Sequence, residues 1–224
     1  MSMIKVDNIN DLAFIDPSIF SADSTYFENP DLPFQLHKNA KIRDKETNNF
    51  HTGSLTILIA NVAGTVSASE SITLIKESRY SIDGKQLKLD DRTIGTISKN
   101  DNSGIIFEFN EYDPKTGPAT DLATIENLVN DLQFYAPDIQ ESGTRKISLF
   151  LNDGGGLNEF GESETSIIRN LNLFVGQSGT TGKDTIDGSN DIEEALVGGT
   201  DVDTLVGGVG DFIDLQFERD FFHL

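Results

Sequence analysis

The chain has 224 residues, with 37 acidic against 17 basic side chains, a formal charge of −20, and no cysteine. Disulfides, thiolate metal centres and cysteine nucleophiles are therefore excluded. So acidic a surface repels nucleic-acid backbones and anionic lipid heads while attracting divalent cations.

The length suits one large domain, or one medium domain with a tail. The opening stretch "MSMIKVDNIN" lacks the apolar run of a signal peptide. No stretch approaches the roughly 20 apolar residues of a membrane-spanning helix, so no membrane insertion is expected. Export would then use another signal, unless the chain is one piece of a longer protein.

Most of the following sequence reads as strand. "LTILIA" (Leu55 to Ala60), "SITLI" (Ser71 to Ile75) and "KISLFL" (Lys146 to Leu151) are short, rich in β-branched or aliphatic residues and bounded by turn formers. "RYSIDGKQLKL" sets Tyr80 and Ile82, then Leu87 and Leu89, around Asp83-Gly84, a hairpin signal. In "GIIFEFNEY" (Gly104 to Tyr112), Ile105, Phe107 and Phe109 share one face and Ile106 takes the other.

One segment departs from the two-residue period. "TDLATIENLVNDLQF" places Leu122, Ile125, Val129 and Leu132 at helical spacing, with Thr120 or Asp121 suited to cap the N-terminus. A short amphipathic helix packed on a sandwich is expected, its apolar face serving the core.

Beyond Val175 the composition shifts. Residues 176–224 hold 8 Asp, 3 Glu and 9 of the 20 glycines, against only Lys183 and Arg219. The expected divisions are a linker over residues 1–20, a sandwich over 21–175, a repeat region over 176–215 and a tail over 216–224.

Several motifs in the body are similar to cadherin-like repeats of bacterial type I-secreted adhesins. "VDNINDLAF" resembles the linker between tandem repeats, "KIRDKETNNFHTGSLTILI" their acidic stretch, and "KISLFLNDGGGLNEFGESETSIIRNLNLFV" their last strand pair with Asp-Gly-Gly between. The resemblance covers residues 1–175 through short motifs in the right order. It implies an immunoglobulin-like, all-β sandwich with calcium held at the domain ends. Residue by residue it points to Asn10 and Asp11 in the linker, Glu28 in the first strand, Asp44 and Glu46 in the acidic stretch, and Asp153 before Gly-Gly. Glu46 replaces the usual Asp and Leu12 replaces a further Asn. The chemistry is consistent: calcium takes several oxygen ligands at roughly 2.3–2.6 Å, and residues two apart in an extended segment project to one side.

The tail repeats with a period of nine. In the pattern G-G-x-G-x-D-x-U-x, where U is a large aliphatic residue, "GTTGKDTID" puts Asp184 sixth and Ile186 eighth. "GGTDVDTLV" puts Asp203 sixth and Leu205 eighth. This resembles the calcium-binding nonapeptide of RTX (haemolysin-type) proteins, which implies a β-roll with Asp184 and Asp203 as metal ligands. The repeats are worn. Asp184 and Asp203 stand 19 residues apart, one more than two periods, so "GSNDIEEALV" between them carries an insertion. "GGVGDFIDL" has Phe212 where an Asp is required, and "QFERDFFHL" carries no repeat. That aromatic ending resembles a C-terminal secretion signal. Without calcium so acidic a tail is expected to stay disordered.

No catalytic arrangement is found. His37, His51 and His223 form no His-x-x-x-His pair, "GQSGT" lacks nucleophile-elbow spacing, no phosphate loop occurs, and there is no Trp for sugar stacking. The expected function is a non-catalytic, calcium-binding extracellular module. Its partners would be calcium ions and neighbouring cadherin-like repeats, or cell-surface proteins and glycans. The alternatives are a carbohydrate-binding module and an accessory fragment of a secreted hydrolase.

Overall fold

Side chains alternating between apolar and polar make strands that bury one face, and most of the described core residues lie on such strands. The computed structural model describes residues 14–15, 24–27, 33–37, 39–44, 49–63, 68–111, 120–137, 143–156, 162, 164–180, 182–188, 194–198, 202–208, 211–214 and 221–223. In chain order the first strands are β1 (Phe14–Ile15), β2 (Ser24–Phe27), β3 (Phe34–Gln35), β4 (Ile42–Arg43) and β5 (Ser54–Ala63). Then come β6 (Ser71–Leu74), β7 (Tyr80–Asp83), β8 (Gln86–Leu89), β9 (Arg92–Asp101) and β10 (Gly104–Phe109). Helix α1 (Leu122–Asp131) leads directly into β11 (Leu132–Tyr135), followed by β12 (Gly143–Asn152) and β13 (Thr165–Ser178). The last are β14 (Thr185–Asp187), β15 (Glu194–Val197), β16 (Thr204–Val206), β17 (Phe212–Asp214) and β18 (Phe221–His223).

These elements form an all-β sandwich with one short helix, as the sequence predicts. One layer runs β7-β8-β9-β10-β5-β12-β13 with antiparallel neighbours, and β2 joins β13 in parallel. The other layer is β3-β11-β6. The core lies between them. Leu55, Ile57 and Ile59 from β5, Ile105, Phe107 and Phe109 from β10, and Ile147, Leu149 and Leu151 from β12 meet Ile72, Phe134 and Leu36 from the facing layer. Full burial of each such side chain stabilises by about 1.5–3 kcal/mol. Ile106 takes the outer face, as its position predicts.

Helix α1 is capped by Asp121, whose Oδ1 accepts from the Thr124 N–H at 2.8 Å. Ile125, Leu128 and Val129 are its buried residues, while Leu122 is only partly covered. The hairpin at Asp83-Gly84 forms with its centre one residue later. Asp83 pairs with Gln86, which leaves Gly84 and Lys85 as the turn, and Gly84 has φ +59°. Among the described residues β7 has β8 on one side and no strand on the other. Ion pairs Lys88–Asp83 and Arg79–Asp90 flank it.

One polar group is built into the core. Arg145 of β12 is entirely buried, and its guanidinium forks onto Glu70, which stands just before β6. Nε donates to Oε2 at 2.8 Å and Nη2 to Oε1 at 2.7 Å, while Nη1 reaches Asn61 Oδ1 at 3.2 Å. The pair links the two layers, one partner from each.

The expected boundary near Val175 lies inside a strand. Residues of β13 up to Leu173 pair with β12, and Val175–Ser178 go on to pair in parallel with β15. From there the chain coils between two parallel sheets, β13-β15-β17 and β14-β16-β18. Ile186, Leu196 and Leu205 are buried between these sheets with Ile213 packed against them. Thr185 pairs with Thr204 and Thr204 with Phe221, so the first coil takes 19 residues and the second 17. Phe221–His223, read from the sequence as lying outside any repeat, form a third rung.

Candidate cation sites

The turns of the coil are built by glycine. Gly179 donates its N–H to Val197 O at 2.8 Å, and Gly188 donates to Val206 O at 2.7 Å. A Cβ on Gly179 would overlap the Gly198 carbonyl oxygen, and one on Gly188 would overlap the Asp211 carboxylate and press on Leu196. At Gly179 the clash is with backbone, so only glycine allows the coils to stack this closely there. The repeat spacing therefore places its glycines at coil corners.

Stacking brings Asp184 and Asp203 together. The two residues precede β14 and β16, and the Asp184 N–H donates to Asp203 Oδ1 at 2.7 Å. In return, Thr204 N–H donates to Asp184 O at 3.0 Å. Asp184 Oδ2 accepts from Thr180 N–H at 2.6 Å and from Thr180 Oγ1 at 2.9 Å. Asp203 is wholly buried. The side chains gathered here, Asp184, Asp203 and Thr180, offer oxygen atoms, which suits a hard cation such as Ca²⁺ and not a soft or imidazole-preferring metal. On the opposite row of turns Asp211 Oδ2 accepts from Gly208 N–H at 2.6 Å. Its fifth place in the repeat, one short of the sixth, concealed it in the sequence.

The other sequence-predicted ligands fare differently. Asn10, Asp11, Glu28 and Glu46 lie outside the described residues. Asp44 follows β4, half-buried. The segment leading to it is tied to α1 by Ala40 N–H to Asn130 Oδ1 at 2.6 Å and by Ile42 N–H to Glu126 Oε2 at 3.1 Å. Asp153 follows β12 and is buried, with Oδ1 accepting from Gly155 N–H at 2.7 Å. Its turn lies against a second one: Gly154 abuts the His51 carbonyl, and Gly53 abuts the Asn152 carbonyl.

That second turn is strained. Thr52 holds φ +66°, a left-handed conformation that costs a β-branched residue on the order of 1–3 kcal/mol. Neighbouring chain converges here, with Phe50 N–H bonded to Thr120 O at 2.7 Å and Asn49 bridged to Asp121. Burial lowers the pKa of His51, and the charge of Glu111 pulls it the other way. The sequence did not single out His51 and Glu111 as neighbours at this sandwich end.

Among the described residues no three His, Asp or Glu side chains converge to hold a metal on their own. A cation in the coil would draw on Asp184 and Asp203 together with further oxygen ligands. Among the same residues no helix is long and apolar enough to cross a membrane. Comparison with known proteins returns no matching family model, curated protein or solved structure.

Proposed function

We propose that this chain is a non-catalytic, calcium-binding structural module of an extracellular, adhesin-like protein. The reading rests on one observation above the rest: two in-register aspartates, Asp184 and Asp203, meet across stacked glycine turns, with one carboxylate fully buried. A buried carboxylate in a chain of net charge −20 is a costly arrangement, and a divalent cation offsets both terms. Asp153, in its strained end of the sandwich, is the second candidate ligand. Calcium bound there would stiffen the junction with a neighbouring repeat, the partner this reading requires.

A ligand that binds only the folded state stabilises it by mass action. One site at a hundredfold excess over Kd adds about 2.7 kcal/mol, which for a chain of this size raises Tm by roughly 5–10 °C. Millimolar calcium should produce that rise in a thermal melt, and calorimetric titration should show saturable binding. Asp203→Asn keeps an oxygen for the Asp184 N–H but removes a charge, and should weaken the coil's affinity by roughly tenfold or more. Superimposable melts in calcium and in chelator would sink the proposal.

A further inference from the structure

We propose that the β-sandwich is the template on which the C-terminal coil orders, with β13 acting as a strand of one and as the first rung of the other. The coil is poorly equipped to stand alone. Among the described residues its apolar interior is Ile186, Leu196 and Leu205 with Ile213 beside them, and its described rungs are three or four residues long. Stacked repeats each bury their faces only against neighbours, so an array this short needs a structured end to begin from.

β13 supplies that end. Residues Thr165–Leu173 are fixed by the ladder to β12, and Leu171 and Leu173 are buried in the sandwich core. Arg169 is anchored as well: its Nη1 donates to Leu36 O, and its guanidinium lies 5.3 Å from the centre of the Phe34 ring. The next residues of the same strand, Val175–Ser178, present a pre-extended edge to β15. Gly179, immediately after, donates its N–H to the carbonyl of Val197 at the end of β15. Rung one thus arrives already ordered, and each later rung adds to a formed edge without the entropy cost of nucleating a new sheet.

This dependence concerns backbone pairing and stands apart from cation occupancy. Amide exchange, read by mass spectrometry on the full chain through a urea series, tests it in calcium and again in chelator. The amides of Ala195–Val197 and Thr204–Val206 should lose protection no later than those of β5, β10 and β12 at every urea concentration. A coil that stays protected after the sandwich strands exchange overturns the proposal, whereas a failure of calcium binding shows only as coincidence of the two series.

Breaking the shared strand gives a second arm. Successive N–H groups alternate sides along a strand, so Gly176→Pro with Gln177→Pro removes whichever donor faces β15. Protection at Thr204–Val206, in the other sheet, should fall by about tenfold or more while β9 and β10 stay protected. Protection there within about threefold of the parent overturns the template reading. Should β9 and β10 lose protection too, the urea series on the parent chain decides.

Discussion

Replacing Glu70 by Ala would leave the Arg145 guanidinium buried with its two strongest acceptors gone. In the parent both side chains have no exposure, and the fork is held at 2.7 and 2.8 Å. Removing one partner of a buried pair costs about 3–5 kcal/mol, because the charge that remains is uncompensated. Two charge-assisted bonds at about 1.5–3 kcal/mol each give a similar figure. At about 4 kcal/mol, a chain of this size should lose roughly 8–16 °C in Tm. Urea unfolding of Glu70→Ala, checked for an unchanged m-value, measures the loss directly. The companion variant is sharper: Glu70→Leu with Arg145→Met removes both charges and should recover to within about 1.5 kcal/mol of the parent. A single variant costing under about 1 kcal/mol, or a double variant no better than the single, would refute a desolvated, mutually dependent pair.

His37 predicts a dependence on pH. Burial, and secondarily the charge of Arg169, lowers its pKa from 6.5 to about 3. The folded state holds it neutral while the unfolded state takes up a proton, so its contribution is complete above pH 6.5 and declines as pH falls toward 3. Between pH 6.5 and pH 5 the parent should lose about 2 kcal/mol that His37→Gln does not lose. Parallel stability profiles for the two proteins would disprove this. At the helix, Asp121→Ala removes the cap on Thr124 and should cost about 1 kcal/mol by urea unfolding; a loss below about 0.3 kcal/mol would mean that solvent replaces it.

Period and punctuation carried much of the fold. Leu55, Ile57 and Ile59 declare their face by alternation, α1 by its apolar spacing, and the coil by glycines that recur near every ninth residue. These are local signals, set by backbone geometry. The Glu70–Arg145 pair could not be read, because its partners are 75 residues apart and each alone looks like an ordinary surface charge. Placing β5 between β10 and β12 is likewise a decision of packing, since no short motif encodes which strands become neighbours. The same division holds for the candidate sites. Repeat spacing picked out Asp184 and Asp203 one by one but, at 19 residues apart, did not pair them; their contact and the strained Thr52 turn beside Asp153 came from tertiary packing. Continuity of β13 past Val175 was hidden because composition changes there and backbone pairing does not.

Among the described residues one flank of β7 is bare, which has a consequence for solubility. A strand with one open side offers N–H and C=O groups to any extended chain that reaches it, and association by that route is sheet extension. Here the open strand is four residues long, and charged side chains stand at both of its ends. Such exposed ion pairs add little to folding stability. They keep other molecules from adding themselves to the sheet, a service that concentrated salt would weaken by screening.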